Sequence, residues 1–110
     1  MARTPLTPKD RPEIVCICGS TRFGREMQEV ARDLSLAGAI VLAPVVFAPD
    51  GEPEIGAEQK AALGALHLRK IDLADRALVV NLGGYLGEST RREIAHARAT
   101  GTPVAFTDPA

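Results

Sequence analysis

Short apolar segments alternate along the chain with longer segments whose apolar residues recur at helical spacing. The short segments are rich in Val, Ile and Leu and are bounded by Gly or Pro, which predicts buried β-strands over residues 13–19, 39–43, 76–82 and 103–106. The longer segments repeat apolar residues every three or four positions, which predicts helices over residues 23–37, about 57–75 and about 89–100. On the second helix we expect one apolar stripe, made of Leu63, Leu66, Leu73 and Ala74.

The alternation of strands and helices predicts the fold class. A strand that is followed by a helix and then by another strand requires a crossover, and crossovers produce parallel sheets that are covered by helices. We therefore expect an α/β fold: a doubly wound, flavodoxin- or Rossmann-like, mainly parallel sheet of four or five strands with helices on both faces.

Length and composition bound the domain count and the class of protein. A chain of 110 residues forms one domain, which we assign to residues 13–110, and the proline-rich residues 1–12 are expected to form a flexible tail. Hydrophobic residues make up 45% and charged residues 25% of the chain, which excludes collagen-like, coiled-coil and fully disordered classes. The net charge of -1 argues against binding to polymeric nucleic acid or to a membrane surface. Without a membrane span or the apolar core of a signal peptide, a cytoplasmic location is expected.

The two cysteines lie two positions apart in the first predicted strand. Cys16 and Cys18 therefore point to the same face, and they are too close along the chain for a structural disulfide. Only His67 and His96 could serve as further soft ligands, so the chain has few residues with which to complete a structural zinc site. We expect buried thiols, no metal and no cofactor.

Three predicted loops lie where ligands bind in such folds. Parallel α/β sheets bind ligands beyond the carboxyl ends of their strands, here at residues 19–24, 44–56 and 83–90. The chain has only four aromatic residues, and three of them, Phe23, Phe47 and Tyr85, fall in or beside these loops. This placement favours a site that contacts a flat group such as a nucleobase, or the sugar attached to it.

The first loop combines glycine, hydroxyl and guanidinium groups. Gly19 permits a tight turn into a helix N-terminus, and Ser20, Thr21 and Arg22 add donors that suit a phosphate group. The segment is not a Walker loop, because Arg25 and Glu26 stand where Lys and Ser or Thr would be required. An ordinary N-capped helix start explains the same Ser and Thr.

Glu93 and His67 are the candidate catalytic residues, and each has a structural alternative. Thr90 and Glu93 have the spacing of a capping box, yet helical geometry also turns Glu93 toward the sheet edge, where it could act on a ligand. His67 falls in the apolar stripe of the second helix, as a hydrogen-bonded core histidine would, or as a general acid or base.

Three motifs in order resemble the nucleoside 2-deoxyribosyltransferase superfamily, in particular its nucleoside 5′-monophosphate N-glycosidase branch. They are Val15-Cys-Ile-Cys-Gly-Ser-Thr-Arg-Phe23, Ile71-Asp-Leu-Ala-Asp75 and Gly84-Tyr-Leu-Gly-Glu-Ser-Thr-Arg-Arg-Glu-Ile-Ala-His-Ala97. The resemblance covers roughly residues 14–106. It implies a homodimer or larger homo-oligomer that takes a small nucleotide or nucleoside and cleaves its N-glycosidic bond. It also implies that Glu93 is the nucleophile, and that the 5′-phosphate is held by Gly19, Ser20, Arg22, Gly87 and Ser89.

The chain departs from the family pattern in three respects. Ala95 replaces a glycine beside the nucleophile, and His67 or Leu68 occupies the region of a family aspartate that assists at the base. The chain is also shorter than typical transferases, which favours hydrolysis over transfer. The missing aspartate leaves open a non-catalytic nucleotide-binding or sensing module. A phosphoribohydrolase of the lysine-decarboxylase-like group shares the glycine-rich loop 83–87, but Glu93 lies too far along for that motif.

Overall fold

The computed structural model describes residues 11–45 and 56–109, which form three helices around a four-stranded sheet. The strands are β1 (Ile14–Gly19), β2 (Ile40–Leu42), β3 (Arg76–Val80) and β4 (Val104–Phe106). The α-helices are α1 (Gly24–Leu36), α2 (Ala57–Leu73) and α3 (Glu88–Ala99). Short 3₁₀ turns at Thr21–Phe23 and Leu82–Gly84 follow β1 and β3. Apart from the ends, where differences are a few residues, these elements match those predicted from the pattern.

All four strands are parallel and lie in the order β2-β1-β3-β4. The chain crosses from β1 to one neighbour, β2, and then returns past β1 to form β3 on its other side. The strand order therefore reverses between β1 and β3, which is where a crevice opens beyond the carboxyl ends of the strands.

The two sheet faces carry separate cores, because alternate residues of a strand point to opposite sides. Cys16 and Cys18 face a cluster that includes Ile71 of α2 and Ile94 of α3. Ile17 and Val80 face the other side, where Met27 of α1 covers them. Helices thus cover both faces of the sheet, and the predicted doubly wound α/β fold class is confirmed.

The predicted apolar stripe of α2 is wrong in part. Leu66 and Leu73 are 56% and 68% exposed, whereas His67 and Ile71 are buried. α2 contacts the sheet through His67 and Ile71. These two residues are four positions apart and lie on one helical face. Leu66 precedes His67 by one position, a rotation of about 100°, so it turns away from the sheet.

The part of the predicted tail that the structure describes is attached to the domain. Arg11 forms two hydrogen bonds of 2.7 Å with the Asp75 carboxylate, which also accepts the Ile14 backbone N–H at 2.8 Å. Residues 1–10 and the larger part of the predicted loop 44–56 lie outside the described residues. Within residues 11–45 and 56–109, every helix is too short or too polar to cross a bilayer.

Candidate functional site

A cavity of about 490 Å³ lies beyond the carboxyl ends of the strands, between the turn after β1, one side of α2 and the N-terminal end of α3. Eight of the residues singled out in the sequence line it: Gly19, Ser20, Thr21, His67, Tyr85, Gly87, Ser89 and Glu93. The structure therefore brings together residues that are more than 70 positions apart in the chain, at the place where the strand order reverses.

Gly19 lies where the backbone approaches its neighbours closely. A Cβ atom at this position would lie 3.0 Å from the Val80 carbonyl oxygen and 3.0 Å from the Met27 sulfur. The next residue, Ser20, caps the 3₁₀ turn by accepting the Arg22 N–H at 3.3 Å. The capping alternative is thus correct for Ser20, whose side chain also lines the cavity.

Arg22, Phe23 and Tyr85 form a cluster beside the cavity. The Arg22 guanidinium stacks 3.8 Å from the centre of the Tyr85 ring, a cation–π contact. Phe23 meets the same ring edge-on, with the ring centres 6.0 Å apart. Of the three, only Tyr85 lines the cavity, and Arg22 and Phe23 contact its ring. The third predicted aromatic contact, Phe47, lies outside the described residues.

The N-terminus of α3 faces the cavity. Its N-cap is Gly87, and the first helical hydrogen bond runs from the Arg91 N–H to the Gly87 carbonyl. The backbone N–H groups of the three residues before Arg91 therefore have no acceptor within the helix. Together with the positive end of the helix dipole, these donors favour an anionic group at the Gly87–Ser89 rim of the cavity.

The predicted capping box of Thr90 and Glu93 is wrong. Because α3 begins at Glu88, Thr90 lies inside the first turn and Glu93 in the second, beyond the unpaired N–H groups that a cap would satisfy. Helix capping therefore does not explain Glu93.

The Glu93 carboxyl group is buried at the floor of the cavity. Its side chain is only 13% exposed, and within the described part of the chain its buried Oε1 atom has no hydrogen-bond partner. Burial raises the pKa of Glu93 above its ordinary value, since the ionised form loses its hydration. A carboxylate held in this way is available to a ligand in the cavity.

His67 links Glu93 to the two cysteines. Its Nε2 atom lies 3.7 Å from Glu93 Oε1, 3.6 Å from Cys18 Sγ and 3.7 Å from Cys16 Sγ. Burial by itself lowers the pKa of His67, but the neighbouring Cys16 and Glu93 outweigh it and raise that pKa overall. His67 is buried, as a core histidine would be, yet its Nδ1 atom has no hydrogen-bond partner among the described residues.

Cys16 and Cys18 are buried free thiols, as the sequence predicts. The hydrogen bond from the Cys18 thiol lowers the pKa of Cys16 to about 5, with a smaller contribution from His67. The same hydrogen bond, followed by burial, raises the pKa of Cys18. The floor beneath the cavity therefore combines two sulfur atoms, an imidazole and a carboxyl group.

Sequence reasoning missed the wall that α2 contributes. Lys60, Leu63 and Lys70 line the cavity with His67, and Lys70 Nζ donates to the Ala43 carbonyl at 2.8 Å. These residues lie seven and four positions before His67 and three after it, so they share its helical face. This helical spacing from His67 is the feature of the sequence that could have identified them. It identifies cavity-lining residues only once His67 is known to face a cavity.

Comparison of the chain with family models, with curated proteins and with solved structures finds no match. The assignment of function therefore depends on the chemistry of the cavity and on the motifs of the chain.

Proposed function

We propose that this protein cleaves the N-glycosidic bond of a nucleoside 5′-monophosphate, with Glu93 as nucleophile and with hydrolysis favoured over transfer. The observation that carries the proposal is the Glu93 carboxyl oxygen, which is buried at the floor of a cavity of about 490 Å³ and has no hydrogen-bond partner among the described residues. Its position is not explained by helix capping, and buried polar groups without partners are rare outside functional sites.

The rim of the cavity suits the phosphate group. The N-terminus of α3 at Gly87 and Ser89 offers free backbone N–H groups, and Ser20 and Thr21 lie on the opposite rim. Lys60 adds a positive charge to the same cavity. Arg22 is assigned an indirect part, since its guanidinium stacks on Tyr85.

The base and sugar are assigned to the aromatic side of the cavity. Tyr85 lines it and is 40% exposed, so its ring has surface available for a flat ligand. Phe23 supports that ring through an edge-on contact. Phe47 remains a predicted contact from the loop after β2.

The reaction follows the double-displacement chemistry of a carboxylate nucleophile. Glu93 attacks the anomeric carbon while the carbon–nitrogen bond breaks, and the bonding electron pair leaves with the base, which is protonated from His67. Water then attacks the glycosyl ester, gives its proton to His67, and releases the sugar phosphate and the Glu93 carboxylate. The proposed role of His67 in both proton transfers is supported by the distance of 3.7 Å between its Nε2 atom and the carboxyl oxygen.

A panel of ribo- and deoxyribonucleoside monophosphates tests the proposal, with chromatography to detect free base. We expect release of base from at least one of them, and a loss of on the order of a thousandfold or more in Glu93→Gln, because the amide is a poor nucleophile. Glu29→Gln, an exposed site on α1, is the matched control and should retain the rate. Base release that is equally fast in Glu93→Gln would remove Glu93 from its assigned role.

A nucleotide-binding or sensing module without turnover is the second candidate. It is favoured by the histidine that stands where the resembled family carries an aspartate, and by the contact of that histidine with two sulfur atoms. This reading predicts stabilisation by nucleotide of about 2.7 kcal/mol at a hundredfold excess over Kd, with no release of base. Thermal denaturation and the chromatographic assay together separate the two candidates. Self-association into a homodimer or higher homo-oligomer and a cytoplasmic location stay predictions.

A further inference from the structure

Three side chains of the metal-ligating type meet beneath the floor of the cavity. Cys16 and Cys18 come from β1, and His67 comes from the middle of α2. One donor atom from each lies within 4.8 Å of the other two, and all three residues are buried. Elsewhere in the described residues, His96 pairs with Asp72 at 2.7 Å, so the second histidine of the chain takes no part.

The spacing of these atoms fits a tetrahedral ion. Zinc binds sulfur at about 2.3 Å and imidazole nitrogen at about 2.0–2.1 Å, so in a tetrahedron the sulfur and nitrogen atoms lie about 3.6 Å apart. The distances from His67 Nε2 to the two sulfur atoms are 3.6 Å and 3.7 Å. Both match the tetrahedral separation, and the two sulfur atoms lie within 4.8 Å of one another.

The Glu93 carboxyl group lies beside the three donors but outside their group. Its Oε1 atom is 3.7 Å from His67 Nε2, but among the described residues only the donor atoms of Cys16, Cys18 and His67 all lie within 4.8 Å of one another. Three protein ligands leave the fourth position of a tetrahedral ion to a water molecule or a ligand from the cavity. A cation held by the three would also attract the buried Glu93 Oε1 atom, which has no hydrogen-bond partner among the described residues.

We propose that Cys16, Cys18 and His67 form a zinc site of the Cys₂-His type, whose fourth position is open to the cavity. The donor set selects the metal, because thiolate and imidazole ligands suit Zn²⁺, whereas Mg²⁺ and Ca²⁺ require oxygen ligands. The ion enters through the cavity, whose lining includes His67 and Glu93. Metal binding releases thiol protons to solvent, so that both cysteines coordinate as thiolates.

The proposed zinc site stands independently of nucleotide cleavage. Where the proposed glycosidase also holds, zinc would occupy the His67 Nε2 atom that the reaction needs for its proton transfers, and the zinc-loaded protein would not turn over. The metal is therefore tested by spectroscopy, with no nucleotide present, and its failure would leave the glycosidase assay unaffected.

Cobalt provides the probe, since Co²⁺ replaces Zn²⁺ in tetrahedral sites and absorbs visible light. The full chain, reduced and stripped of metal with a chelator, is titrated with Co²⁺ and then with Zn²⁺. We expect one equivalent of Co²⁺ to bind, with the intense visible bands of tetrahedral geometry and a near-ultraviolet thiolate charge-transfer band, and Zn²⁺ to abolish both. No binding, or the weak visible bands of octahedral cobalt without charge transfer, would overturn the proposal.

Three variants assign the ligands. Cys16→Ser, Cys18→Ser and His67→Gln should each weaken Zn²⁺ binding by more than the roughly 10- to 100-fold that loss of an outer-shell partner costs. Glu93→Gln should weaken it by no more than that outer-shell amount and should keep the thiolate band. His96→Gln is the control and should bind like the wild type. Unchanged affinity in both cysteine variants would refute the site.

X-ray absorption at the zinc edge keeps the proposal testable if a cysteine variant fails to fold. The wild-type protein should show two sulfur neighbours at about 2.3 Å and two lighter neighbours at about 2.0–2.1 Å. A shell of nitrogen and oxygen atoms alone would contradict the assignment.

Discussion

At the scale of single residues, two glycines differ in how closely their surroundings are packed. Gly19 ends β1, and any Cβ there would lie 3.0 Å from the Val80 carbonyl and from the Met27 sulfur. Gly64 lies inside α2 and lines the cavity, and no atom of the described residues lies within 4 Å of the corresponding position. Close packing requires the first glycine, whereas no contact among the described residues requires the second.

These surroundings predict opposite effects of alanine on stability. Gly19→Ala should lower the free energy of unfolding by about 1–3 kcal/mol, because the added methyl group forces the core to shift. Gly64→Ala should raise it by about 0.5–1 kcal/mol, since alanine loses less entropy in a helix. Urea denaturation followed by circular dichroism measures both. Equal effects of the two substitutions would show that the close contact at Gly19 carries no energetic weight.

At the scale of elements, the segment after β4 secures the turn after β3. Asn81, fully buried, accepts the Asp108 backbone N–H at 3.0 Å and donates to the Asp108 carbonyl at 3.0 Å. The Asp108 side chain in turn accepts the Gly83 N–H at 2.8 Å. These bonds position the glycine turn that leads to Tyr85 and to the start of α3.

Loss of the Asn81 side chain should therefore be costly. In Asn81→Ala the backbone groups of Asp108 lose their partners, and we expect the free energy of unfolding to fall by about 1–3 kcal/mol. Gln28→Ala, which removes an exposed amide on α1, is the control and should change stability by less than about 0.5 kcal/mol. Chemical denaturation of both variants provides the measurement, and a mild effect at Asn81 would mean that solvent replaces its bonds.

The start of α3 shows why element boundaries limit prediction from sequence. Thr90 and Glu93 have the spacing of a capping box, and the local pattern cannot exclude one. The helix instead begins two residues before Thr90, which is buried inside it. Contacts with the sheet and with α2 decide this start, so the local capping signal is overruled.

At the scale of the whole molecule, Asp75 binds two residues that each lie more than 60 positions before it in the chain. Its carboxylate holds the Arg11 guanidinium through two bonds of 2.7 Å and the Ile14 backbone N–H at 2.8 Å. The bonds from Arg11, followed by that from Ile14, lower the pKa of Asp75 to about 2. The ionised form is thus favoured in the folded protein.

The depressed pKa predicts a pH-dependent contribution to stability. The contribution is complete above the ordinary aspartate pKa of about 4, and it is lost as the pH falls toward 2. Asp75→Asn should therefore be less stable than the wild type at pH 7, and the difference should shrink between about pH 4 and pH 2. Urea denaturation across this range measures it. Arg11→Gln should remove most of the same window, and a pH-independent difference would contradict the assignment.

The sequence by itself determined the class of fold and the loops that carry the site. Alternation of apolar segments with helical periodicity requires crossovers and a parallel sheet, and parallel strands bring their carboxyl ends to one edge. For that reason the loops at Gly19 and Gly87 could be assigned to one edge of the sheet from local pattern alone. Nothing local, however, specified the neighbours of a buried side chain.

Only the tertiary structure decided which chemical groups meet. In the folded chain Leu66 is exposed and His67 is buried. His67 also contacts the two cysteines, for which the sequence predicted only burial. The tertiary structure also placed Glu93 beside them. Periodicity reports which positions of one segment share a face, but the rotation of a helix against its neighbours depends on packing between residues far apart in the chain. The convergence of β1, α2 and α3 at this site is a property of that packing.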